Sequence, residues 1–181
     1  NINWTGQQNR LIDRGVNWAG GVRPGSSDAA VFGPGSPQYL DGINVSGNVT
    51  YNAIRFRSTT QDVTFTDSAA HTISVGSGGI GLDASFTGNQ VLFNSAFVVT
   101  AGQTWNVENA GRTLFATKGV NLQGGNLQLT GNGEIAIGGS ITGTGAVVLA
   151  GGRLRADSDL ISANEINVGS ATQITTHGHH I

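Results

Sequence analysis

Residues 124–152 read GGNLQLTGNGEIAIGGSITGTGAVVLAGG. Leu127 and Leu129, Ile135 and Ile137, and Val147 and Leu149 are each separated by one residue, which puts both members of a pair on one face of a strand. Between the pairs stand Gly, Asn and Thr, residues that reach positive φ or hydrogen-bond their own backbone and so permit a tight corner. The stretch therefore describes short half-buried strands joined by abrupt turns.

The same mark recurs upstream in Ile54/Phe56, Val63/Phe65, Ile73/Val75, Ile80/Leu82, Val91/Phe93, Trp105/Val107 and Val120/Leu122, and downstream in Ile166/Val168. Turn residues separate these pairs at Asp67-Ser68, Gly76 to Gly79, Gly88-Asn89, Gly124-Gly125, Gly131 to Gly133 and Gly151-Gly152. Three strands and three corners make a coil of roughly 20 to 25 residues, a period proper to a structural repeat. Val99, Val120 and Ile141 follow one another at intervals of 21, consistent with one coil each. An antiparallel sandwich also has short strands, but it calls for hairpin dipeptides and longer strands. The pattern predicts an all-β chain, a β-solenoid, with Phe56, Phe65, Val75, Phe93, Val107, Leu129, Ile137 and Leu149 stacked inward.

Composition agrees with a folded chain of this kind. The 181 residues include 29 Gly but only 3 Pro, and charged residues make up 11%, against about 25% in ordinary soluble domains. The recurring Val, Ile, Leu and Phe separate it from disordered sequences of low hydrophobicity. There is no cysteine, so neither a disulfide nor a thiolate metal site holds the fold. A net charge of -2 lacks the basic excess of a nucleic-acid-binding domain. No apolar run approaches the ~20 residues of a membrane-spanning helix. The chain starts at Asn1, the expected form of a mature or excised segment.

Residues 1–42 are different. They hold Trp4 and Trp18 and all three prolines, and they lack sustained alternation. An open solenoid end exposes backbone and core, so the expected organisation is a capping segment at 1–42, with Trp4 and Trp18 as its covering side chains and each indole N–H near a turn carbonyl, followed by solenoid coils at 43–181. At the other end, Ile166, Val168 and Ile174 continue the alternation, and the last coil is expected to be open and to form an assembly interface, either with a following domain or with another copy.

Candidate chemistry is sparse. Arg153 and Arg155 precede Asp157 and Asp159 in one register, which suggests either a substrate-binding strip or, as the favoured reading, a solvated outer face with ion pairs. Arg55 and Arg57, flanking inward Phe56, are read the same way. His177 and His179 at i and i+2 share one side of an extended strand, but with no third ligand evident they are read as a terminal tract without metal. No GxxxxGK[ST] occurs, and neither GNG nor GTG continues into a dinucleotide fingerprint. Asn-Trp-Thr, Asn-Val-Ser and Asn-Val-Thr at 3, 44 and 48 match the glycosylation triplet by the chance expected of an Asn/Ser/Thr-rich chain. The acids are scattered, so no catalytic residue and no cofactor is assigned.

The run NWAGGVRPGSSDAAVFG at 17–33, followed by INVSGNVTYNAIRFRS at 43–58 and then Gly-rich strands, resembles the start of autotransporter-type passenger domains and related bacterial surface proteins with β-strand repeats. The specific likeness covers about residues 1–60. It implies a secreted right-handed parallel β-helix, displayed on or released from a bacterial surface. The sequence lacks the β-barrel translocator of a complete autotransporter, so a separate exported subunit or an excised fragment is expected. The expected function is accordingly structural: a rod segment of an adhesin, fibre or filament, self-associating head to tail or joined to a following domain. Carbohydrate binding by the polar face is the alternative, with a surface glycan as partner, and polysaccharide lyase activity comes third.

Overall fold

The computed structural model describes residues 1–33, 39–158, 165–169 and 172–176. Every pairing between the described strands is parallel, and the chain winds into a β-solenoid of about seven turns with almost no helix. A full coil has three strands. One complete circuit runs through Thr113–Ala116, Val120–Asn121 and Leu127–Gly131, and the next through Glu134–Ile137, Ile141–Thr142 and Ala146–Leu149. Each strand bonds to its counterparts one coil before and after, making two ladders, one of which bends to cover two sides. Thr72–Leu82 shows the bend: its first half pairs with Ala96–Val99 and its second with Gln103–Val107.

Alternation sets which side chains enter the core. Phe56, Phe65, Val75, Phe93, Val107, Leu129, Ile137 and Leu149 are all buried, as the sequence pattern predicts. The inward residues also stack in register: Ile54, Ile80, Trp105, Leu129, Leu149 and Val168 stand over one another through successive pairings. The expected alignment of Val120 with Ile141 holds, but that of Val99 with Val120 does not. Val120 lies opposite Phe97, while Val99 lies opposite Val75. Local alternation fixes the inward face, whereas the register between coils depends on loop length.

Coil length falls along the chain, and the core changes with it. The column just named climbs in long steps from Ile54 to Ile80 and on to Trp105, but in distinctly shorter ones from Leu129 to Leu149 and on to Val168. The long coils are filled by rings. Phe32 stacks on Phe56 at 5.2 Å, Phe65 on Phe93 at 4.2 Å, and Phe97 meets Trp105 edge to face at 5.0 Å. Beyond Trp105 the described core residues are Val, Leu, Ile and Ala. Each favourable ring pair contributes about 0.5–1.5 kcal/mol beyond its buried area, so the ring-rich coils gain more stabilisation per turn.

The segment expected to form the cap contributes strands of its own. Ile2–Asn3 pairs with Ala29–Phe32, which pairs with Val49–Phe56, and Leu11 bridges Asn44 on the other ladder. Trp4 and Trp18 are buried edge to face at 5.1 Å, and both rings contact Phe32. The Trp18 indole N–H donates to the carbonyl of Ile12 at 2.9 Å. Fully buried Asn17 organises the intervening loop: its Oδ1 accepts from the Gln8 and Asn9 amides, and its Nδ2 donates to Asn9 Oδ1 and the Leu11 carbonyl.

Two substitutions test this packing. Gly79 has φ +68°, and an added Cβ would collide with the Thr104 carbonyl oxygen of the next coil. Gly79→Ala is expected to cost more than about 2 kcal/mol in urea denaturation, combining backbone strain with displacement of the rung. Ile137→Asp places an unpaired carboxylate in the core and is expected to cost more than about 4 kcal/mol, leaving no cooperative thermal transition by circular dichroism. A folded, cooperatively melting Ile137→Asp protein would contradict the inward assignment.

Candidate functional site

The densest charge cluster lies on the outer surface of the ladder built by Gln90–Phe93, Thr113–Ala116, Glu134–Ile137, Arg153–Ala156 and Gln173–Thr175. Because Leu114, Ile135 and Leu154 are drawn inward, the residues on either side of them face out. Two outward rows result. Gln90, Thr113, Glu134, Arg153 and Gln173 form one; Leu92, Phe115, Ala136, Arg155 and Thr175 form the other.

Arg155 ties the rows together. Its Nη1 donates to Glu134 Oε1 at 2.7 Å, and its Nε donates to both carboxylate oxygens of Asp157 at 3.0–3.1 Å. Its guanidinium lies over the Phe115 ring, 4.9 Å from the centroid. Since Ala136 stands between Phe115 and Arg155 in the register, the arginine covers it, which explains a fully buried alanine on an outward row. Arg153 donates from Nε to Gln173 Oε1 at 2.8 Å and places Nη1 3.7 Å from Glu134 Oε2. The outer face thus carries ion pairs. Glu134 at their centre escapes sequence reading because its partners lie a full coil away along the chain; Asp159 lies outside the described residues.

Arg55 departs from the expected pattern. Among the described residues, Arg57 alone of the two makes an ion pair, with Asp83 at 3.5 Å. Half-buried Arg55 instead donates to the carbonyls of Ile54, Gly78 and Gly79 at 2.5–3.0 Å, holding the Gly76–Gly79 corner of the next coil. Burial, followed by the neighbouring Arg57 charge, pushes its pKa below the ordinary arginine value. The Gly-rich corner gives the guanidinium room to approach backbone, a close approach not evident from the pattern of apolar pairs.

A second polar cluster joins three coils. Asp67, with its side chain almost wholly buried, accepts from the Ala69 amide and from Ser95 Oγ, and lies 3.0 Å from His71 Nδ1. The same nitrogen is 2.9 Å from the Val45 carbonyl. Both neighbours of Nδ1 are acceptors, so it carries the proton. Serine bonds the aspartate rather than the imidazole, so the three do not form a nucleophilic relay. They clamp a corner.

Among the described residues no three His, Asp or Glu side chains gather as a metal-binding group. His177 and His179 lie outside those residues. Ile166 and Ile174 are half-buried against the core, and Val168, 53% exposed, continues the inward column where no further described rung covers it. No helix is long and apolar enough to cross a membrane among the described residues. Comparison with known proteins finds no matching family model, no matching curated protein and no matching solved structure.

The ion-pair cluster generates a stability prediction. Glu134→Gln removes the negative charge shared by Arg153 and Arg155 and is expected to cost about 1 kcal/mol in low salt, with the loss shrinking as ionic strength rises. Denaturation in low and high salt checks this; an unchanged midpoint in both would show that the cluster is energetically silent.

Proposed function

We propose that this chain is a rod segment of an extracellular bacterial surface protein, an adhesin, fibre or filament of the autotransporter passenger type. The observation that carries the reading is the single uninterrupted core running through about seven stacked coils beneath a polar, sparsely charged surface. Rungs repeat every ~4.8 Å, so seven steps extend the chain by about 34 Å along one axis. Such a fold gives length and stiffness from strand pairing, and its inward residues serve stacking rather than a reaction centre. The sequence likeness at 17–33 and 43–58 supports the bacterial surface assignment.

The proposal includes self-association. Ile166, Val168 and Ile174 lie on the last described strands, and a further parallel rung would bury them and pair the strand edges. A head-to-tail contact of this kind extends into a filament unless it closes into a ring. The role requires no catalysis.

Negative-stain microscopy and light scattering test the assembly, comparing the chain with an Ile166→Lys/Ile174→Lys variant. Linear species are expected from the unsubstituted protein and single short particles from the variant. A monodisperse monomer at high concentration from the unsubstituted chain would refute assembly through this end. Incubation with pectin, alginate, hyaluronan or chitin, with and without calcium, is expected to release neither reducing ends nor unsaturated products; turnover of any of them would contradict the non-catalytic role.

A further inference from the structure

The shortening of the coils leaves a groove on the side of the rod. The connection from Val107 to Thr113 spans residues 108–112, but the equivalent connection in the next coil, from Gly131 to Glu134, has only 132–133. The longer loop therefore overhangs its successors. Its position is fixed: Asn109 Nδ2 donates to the Ala84 and Phe86 carbonyls, and Asn132 Nδ2 donates to the Glu108 carbonyl. Beneath it lies a groove of about 590 Å³ with Gly133 and Gly152 in its lining and Arg112, Glu134, Arg153 and Gln173 along it. Gly133 packs against the loop so tightly that an added Cβ would meet Val107 and the Arg112 carbonyl.

The charges in this groove do not cancel. Glu134 is engaged by Arg155 and approached by Arg153. Arg112 has no carboxylate partner among the described residues; its Nη1 donates to Asn89 Oδ1 at 3.2 Å, leaving other guanidinium N–H groups available. The Arg153 side chain is 53% exposed, and its Nη2 makes no hydrogen bond among the described residues. Guanidinium groups bind carboxylates through two parallel hydrogen bonds. Thr113 and Gln173 add neutral groups to the same row. The row advances by one polar side chain per ~4.8 Å rung, comparable with one sugar ring in an extended chain.

We propose that this groove binds a linear acidic polysaccharide, a uronate-containing chain lying along the solenoid axis. Arg112 and Arg153 take carboxylates, while Thr113 and Gln173 take hydroxyls. The partner is a glycan rather than a peptide because the lining residues, Ala110 apart, are polar or glycine and offer no large apolar side chain against which a peptide anchor would pack. Two available guanidinium groups are too few for the electrostatic footprint of a nucleic acid. The site is independent of filament formation, so a protein that remains monomeric would still bind.

Calorimetric titration of the full chain with oligogalacturonate and oligoalginate, alongside neutral cello-oligosaccharide and a single-stranded oligonucleotide, tests the assignment. The expected result is binding of at least one acidic glycan that weakens with salt. Arg112→Gln and Arg153→Gln are each expected to reduce it about tenfold, the loss of a charge-assisted contact, while keeping a cooperative melting transition. Arg57→Gln, outside the groove, is expected to leave it unchanged. Failure of both acidic glycans to bind, equal binding of the neutral chain, preferential binding of the oligonucleotide, or full affinity in both groove variants would overturn the proposal. A variant that loses fold as well as binding is set aside in favour of the other, whose intact melting curve makes its affinity decisive.

Discussion

Direct superposition of inward side chains on their counterparts one coil away is the constraint on which the rest of this structure depends. Parallel pairing satisfies the backbone of each strand only when the chain returns to the same azimuth, one rung higher. Each coil must consequently enclose a cross-section that its own inward residues fill. The change from Phe32, Phe56, Phe65 and Phe93 to Leu129, Ile137, Leu149 and Ala156 accompanies the reduction in coil length for that reason. A long coil around small residues would leave voids, and a short coil around rings would be overpacked.

That taper also shapes the surface. Where one coil carries a longer corner than the next, the extra residues project beyond the rod and the smaller coil forms a step below them. The overhang at 108–112 above 132–133 is such a step. Core volume and groove position are thus two consequences of coil length. Glycine at the narrow corners allows loop and rung to approach at backbone distance, as Gly133 does beneath Arg112. The outward rows bordering the step carry Glu134, Arg153 and Gln173, because the inward rows fill the core.

Much of this was legible from one-residue spacing. Leu127/Leu129 and Ile135/Ile137 identify their inward faces because a strand alternates strictly, and the intervening Gly and Asn mark the corners. Register was less legible. Val120 meets Phe97 instead of aligning with Val99 because corner lengths change between coils. The Ala29–Phe32 strand lacks clean alternation, its last three side chains all being buried, so it blends into the Trp- and Pro-containing segment. Glu134 and Arg55 become informative only through partners a coil away. Side-chain chemistry depends on the vertical neighbour, and no local motif names that neighbour when coil length shrinks from the Ile54–Ile80 step to the Leu149–Val168 step.

The central claim is that successive coils stack as parallel rungs along one axis. Thr50, Asn121 and Thr142 provide a direct measurement: all three are exposed, and Thr50 connects through Ser74 and Val98 to Asn121 and then Thr142 in one column of pairings. The chain has no cysteine, so spin labels attach only where cysteines are introduced. Pulsed electron-spin distance measurement on label pairs 50/121 and 50/142 is expected to give backbone separations of about 14 and 19 Å, three and four rungs at ~4.8 Å each. Separations that fail to increase by one rung, or a Thr142 label nearer to Thr50 than the Asn121 label, would contradict the stacked solenoid.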